Sequence, residues 1–265
     1  MVDIPMRSSG AIDKQSVLSL NRIKVQGAKD RQNIQDINKN TYQEGMQNQQ
    51  SAASRGMGAQ PASVSSPAPV QAAPAIRQMT VPQLNNIVRK GQKVPLENTG
   101  KLSRINACLG WNIKNPACDV DVSAFLLSAN KVISDDWFVF YGHPNSPDSS
   151  TAISSDNGTD RQIVSIDFTK LDERVEKIVF VLTINEALEK RLNFSMIQDA
   201  YVRILDADTR SELVSFMMDE YYDNVTSMMI GEVYKYNGAW KFNAIGNGVA
   251  RDLAGLCELY GVQVD

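Results

Sequence analysis

Aspartates in this chain are spaced where a cation could use them. In Asp119-Val120-Asp121-Val122-Ser123-Ala124-Phe125-Leu126-Leu127, polar and apolar residues alternate before an apolar end. At a strand's period of two, Asp119, Asp121 and Ser123 fall on one side, and Val120, Val122 and Ala124 on the other. Same-side positions lie about 7 Å apart, so the two carboxylates repel unless something positive sits between them. No Lys or Arg interrupts the stretch, and Asp135, Asp136, Asp148, Asp156 and Asp160 follow in turn-rich segments. Oxygen ligands converging from several loops suit a hard divalent cation. Ca²⁺ takes about 6–8 oxygens at roughly 2.3–2.6 Å. The competing reading makes these aspartates ordinary turn residues, which Asp favours for backbone reasons. Composition alone leaves both open.

An EF-hand loop is excluded, although Asp119-x-Asp121-x-Ser123 imitates its first ligands. Its sixth position requires Gly and has Ala124; its twelfth requires Glu and has Asn130. Catalytic constellations find little support. His143 is the sole histidine, in a Pro-rich loop without a Ser or Cys motif around it. Asp206 and Asp208 bracket a turn, which favours a structural role. Gly246 and Gly248 match no phosphate loop, and Met217-Met218 and Met228-Met229 read as core filler.

The net charge of -3 does not mark a nucleic-acid binder. Cys108, Cys118 and Cys257 form no CxxC pair and have one histidine to join, which argues against zinc. Their odd number argues against a disulfide framework and for a reducing, cytoplasmic compartment, where the sequons at Asn157, Asn193 and Asn224 carry no meaning. The first residues lack the apolar core of a signal peptide, and no apolar run approaches the ~20 residues of a membrane span.

The elements that must position the aspartates begin late in the chain. Residues 1–50 are polar, with weak helical spacing, and read as a largely disordered or transiently helical tail. Residues 51–79 are rich in Ala, Pro, Ser and Gln and read as a linker. Residues 80–265 hold the folded domain. Thr80 and Pro82 predict a short helix ended by Gly91. Strands are expected at 94–96, 105–111, 119–127, 132–133, 138–141, 163–168, 177–184, 200–205, 212–216, 228–236 and 239–245, with 154–161 as a polar loop. The uninterrupted apolar run 177–184 fits a central strand buried on both faces. Residues 186–191 suit one helical turn. Asn237-Gly238 between alternating strands signals a hairpin. Val249, Leu253, Leu256, Cys257 and Tyr260 predict a terminal helix capped by Gly261. The fold class is all-β dominated: a two-sheet β-sandwich with short helices and a C-terminal helix, after the tail.

From about Lys90 to Val264 the chain resembles the TerD family of bacterial tellurite-resistance and stress-response proteins. The matching pieces, in order, are Lys90-Gly91 with Val94-x-Leu96, Leu109-Gly110-Trp111, the Asp119–Leu127 stretch, Ser134-Asp135 with Phe138-Val139-Phe140-Tyr141, and Ser146-Pro147-Asp148. Asp156-Asn157, Lys177–Val181, Gly231-Glu232-Val233-Tyr234 through Trp240-Lys241-Phe242, and Leu253-Ala254-Gly255-Leu256 follow. The resemblance implies a β-sandwich whose loops at one end bind Ca²⁺, one or two ions. Carried onto this sequence, the resemblance gives Asp119, Asp121, Asp135, Asp148, Asp156 and Asn157, and with Ser123, Asn145 and Asp160 these make up the candidate metal set. Two departures weaken it. The family's Asn-Asn after Phe-Tyr is Gly142-His143, and its acidic loop after Asp-Asn is cut short to Asp160-Arg161-Gln162. The expected function is non-enzymatic Ca²⁺ binding in a stress response. Its partners would be other stress-response or tellurite-resistance proteins at the inner face of the membrane, with no nucleic acid and no small-molecule substrate. The alternative is a metal-free interaction or assembly domain with a degenerate cation site.

Overall fold

A computed structural model describes residues 78–96, 102–156 and 158–263. The tail, most of the linker and Asn157 lie outside the described residues. Two antiparallel sheets form. One contains β1 (Lys93–Pro95), β3 (Val120–Ser128), β4 (Lys131–Val132), β5 (Phe138–Val139), β8 (Lys177–Ile184), β11 (Ser227–Tyr236) and β12 (Ala239–Val249), in the order β1-β12-β11-β8-β3-β4 with β5 also on β3. The other runs β10-β9-β2-β7-β6, from β2 (Arg104–Ile113), β6 (Thr151–Ser155), β7 (Gln162–Asp167), β9 (Ile197–Asp206) and β10 (Glu212–Met217).

One hydrophobic cluster draws on both sheets, with Ile105, Leu109, Val164 and Val202 from the second and Phe180, Leu182, Val233 and Phe242 from the first. Phe168, just after β7, stacks on Trp240 of β12 at 4.6 Å. β8 is buried along nearly its whole length, as its apolar run requires. On β3 the alternation holds: Val120, Val122 and Ala124 are buried on one side, while Asp121, Ser123 and Phe125 share the other. The terminal helix α2 (Leu253–Tyr260) covers that second side, its Tyr260 ring 4.5 Å from Phe125. Asp252 caps its start through Gly255 N, and Gly261 ends it at φ 82. The expected single turn forms as α1 (Ala187–Lys190). The hairpin joining β11 to β12 turns at Asn237 (φ 50) and Gly238 (φ 81).

Two local expectations are corrected. No helix follows Thr80. Val88 N donates to Ser215 O at 2.8 Å and Ser215 N to Asn86 O at 2.9 Å, so this segment runs beside the edge strand β10. The Glu212 carboxylate accepts from both Asn85 N and Asn86 N. With the amides satisfied there, the weak helix formers Asn85 and Asn86 gain nothing by coiling. The polar loop also begins later than expected, because Thr151–Ser155 is a strand paired with β7. Its inward residues Thr151 and Ile153 are buried beneath a serine-rich surface pattern.

Candidate functional site

β3 carries the first three candidates into the structure together. Asp119 is exposed immediately before the strand, Asp121 is half-buried, and Ser123 is 3% exposed. Asn185 N donates to Asp119 O at 2.7 Å, fixing the strand's entrance against the end of β8. Asp121 lies directly across from Thr183, and Thr183 from Ser227, giving a polar row over three strands. Tyr141, just past β5, senses both acids. Burial, then the Asp121 and Asp119 carboxylates, push its phenol well above the usual tyrosine range. The edge of β3 that β5 leaves uncovered is met by Gln162, whose Oε1 accepts from Val122 N at 2.7 Å. The side chain after the Asp156–Arg161 loop thus touches the acidic strand.

A cleft opens on this end of the sheet, with about 90 Å³ of free volume. Asp121, Ser123 and Thr183 line it from the strands, Phe140 and Tyr141 from beyond β5, and Asn185–Glu189 and Asp252–Ala254 from the two helices. The Ser123 Oγ is buried and has no hydrogen-bond partner among the described residues.

The remaining candidates are held elsewhere. Asp160 is buried, with Oδ1 accepting from Tyr201 OH at 2.8 Å and Arg203 Nε at 3.1 Å, and Oδ2 from Arg203 Nη2 at 2.7 Å. Asp156 accepts from Asp160 N (2.8 Å) and Gly158 N (3.0 Å), and these amides hold its carboxyl below the usual range. Asp148 accepts from Ser146 Oγ at 2.6 Å, Ser150 N at 2.9 Å and Asp172 N at 2.9 Å. Burial alone would raise its pKa; the Ser146 hydroxyl and the amides outweigh that and lower it. Asp135 accepts from Gln263 N at 2.8 Å, which ties down the segment after α2. Asn145 is exposed and bridges Ala152 through its backbone. Among the described residues, no group of three or more His, Cys, Asp or Glu side chains stands close enough to hold a metal ion.

Other sequence features resolve as structural. Asp206 caps its own turn through Asp208 N and Thr209 N, and Asp208 pairs with Arg104. Cys108 and Cys257 are buried, and that burial pushes both thiols up to about 12, so neither is a ready nucleophile. Sequence reasoning missed Tyr141, Thr183 and Arg203. Tyr201 and Arg203 are two polar-tipped residues at strand spacing inside an apolar strand, a sign that their shared side faces a polar group.

A TerD domain model matches residues 85–260. The chain is 36% identical over 183 residues to the tellurium resistance protein TerD of Alcaligenes sp, taking in 65% of this chain and 95% of that protein. It is 36% identical over 186 residues to general stress protein 16U of Bacillus subtilis (strain 168), covering 66% and 96%. Among solved structures, a homologue of telluride resistance protein (TerD) from Streptomyces coelicolor A3(2) aligns with a TM-score of 0.46 and 15% identity, over 62% of this chain and 100% of that one. With more than half of its length matched by the family model, the chain belongs to the TerD domain family.

Proposed function

We propose that this chain is a stress-response module whose sandwich binds one Ca²⁺ between Asp119 and Asp121 and acts by contact with other stress-response or tellurite-resistance proteins, without a catalytic centre. The stress role is supported by relatives named tellurium resistance protein and general stress protein. The observation that carries the cation is the placement of Asp119 and Asp121 two residues apart at the start of β3, paired against the end of β8 and both near enough to the Tyr141 phenol to act on it. Two carboxylates acting on one half-buried group gain from a divalent cation between them. In an extended strand Ser123 lies about 14 Å from Asp119, too far to share that ion. Backbone carbonyls and water would complete the oxygen shell, which places the affinity at the weak end of Ca²⁺ sites, about 10⁻⁴ M.

One ion is favoured over two because Arg203 already brings positive charge to Asp160 through both carboxylate oxygens. A guanidinium there does the neutralising that a second cation would do. The test is a thermal melt of the full chain with Ca²⁺, Mg²⁺ or chelator. At tenfold excess over the dissociation constant, binding adds about 1.4 kcal/mol, a rise of roughly 3–5 °C for a domain of this size. Asp119→Asn and Asp121→Asn should each remove the rise. Equal melting temperatures in chelator and in millimolar Ca²⁺ would leave the metal-free interaction domain as the reading.

A further inference from the structure

The cleft beside β3 has a chemistry that a metal ion does not match. Its floor holds the Ser123 Oγ, buried and without a hydrogen-bond partner among the described residues, and Asp121 lines it from the same side of β3. Its walls include the carbon surfaces of Phe140, Leu188 and Leu253, and Glu189 stands exposed at the rim. Among the described residues no Lys or Arg lines it; Lys190 pairs with Glu186, and the Asp252 carboxylate accepts from Gly255 N. An anion would meet carboxylates. A neutral apolar molecule would leave the Ser123 hydroxyl unmet. A bare metal ion would leave the carbon surfaces of Phe140, Leu188 and Leu253 uncovered. Positive charge at the floor, carbon in the middle and positive charge at the rim match Asp121, the Phe140, Leu188 and Leu253 surfaces, and Glu189 in turn.

We propose that this cleft binds an aliphatic diamine. One ammonium donates to the Ser123 Oγ and the Asp121 carboxylate. The methylenes lie against Phe140, Leu188 and Leu253, and the second ammonium meets Glu189. About 90 Å³ of free volume, against the roughly 10–15 Å³ that one water needs, leaves room for a short chain in place of several waters. This site goes beyond the Ca²⁺ reading and shares only Asp121 with it.

The test is calorimetry and thermal melting of the full chain with cadaverine (1,5-diaminopentane). One saturable equivalent should bind and raise the melting temperature, while glutarate and pentan-1-ol bind no more than buffer does. Pentylamine should bind several-fold more weakly; binding as tight as that of cadaverine would overturn the role of Glu189. Glu189→Gln, at an exposed position, should weaken cadaverine a few-fold. Ala254→Trp, which fills the cleft, should abolish cadaverine binding and keep the Ca²⁺-dependent rise. Asp119→Asn should lose the Ca²⁺ rise and keep cadaverine, so the two readings fail separately. No saturable binding of cadaverine, or binding unchanged in both Glu189→Gln and Ala254→Trp, overturns the proposal.

Discussion

Arg203, on β9, grips both oxygens of the loop residue Asp160, at 3.1 Å through Nε and 2.7 Å through Nη2. The side chains are 4% exposed for Asp160 and 16% for Arg203, so this pair is shielded from water and from salt. Breaking it from one side leaves a buried carboxylate without its counter-charge. Arg203→Met should therefore cost about 3–5 kcal/mol in chemical denaturation at neutral pH. Asp160→Asn combined with Arg203→Met should recover part of the stability at pH 7, because the buried charge itself is gone. A loss below about 1 kcal/mol for Arg203→Met would mean that the pair is wetter than its burial implies.

Gly110 leaves the space for the Tyr201 ring, which also donates to Asp160. It lies in β2 opposite Tyr201, and a Cβ there would come within 2.4 Å of the Tyr201 ring. Tyr201 is fully buried and donates to Asp160. Gly110→Ala should thus displace the ring, strip one donor from Asp160 and cost about 3 kcal/mol or more through overpacking and the lost hydrogen bond. Urea melts measure the loss. Gly110→Ala combined with Tyr201→Leu should lose less than the sum of the two single changes, because the clash needs the ring.

The distance along the chain between cooperating residues decides how much of the fold and of the site is legible in the sequence. The β8 run, the Asn237-Gly238 turn and the Gly261 cap are local signals, and each appears where its pattern puts it. The acidic face of β3 also follows from alternation alone. The Asp160–Arg203 pair spans 43 residues, and no local periodicity couples a loop aspartate to an arginine on another strand. The Thr80 helix fails for a related reason. Glu212 and Ser215, distant in sequence, offer the backbone of Asn85–Val88 acceptors and a donor that a short helix could not better. The cleft needs β3, the segment past β5, the β8–α1 stretch and α2 brought together from separate parts of the chain.

Asp148 contributes to the domain's response to acid with a definite sign. Ser146 Oγ, Ser150 N and Asp172 N all donate to its carboxylate, and these donors lower its pKa against the upward push of burial. The unfolded chain titrates near the ordinary value of about 3.9. A group whose folded pKa is the lower one contributes stability in full above the unfolded value, and loses it as pH falls through the folded value. Asp148→Asn should therefore destabilise at pH 7, by about 1–2 kcal/mol for donors left facing an amide. The gap to the parent protein should hold between about pH 5 and 8 and close below about pH 4. Urea melts across that range decide the matter. A gap that stays constant down to about pH 3 would show that the loop is held by the shape of the side chain at 148 and not by its charge.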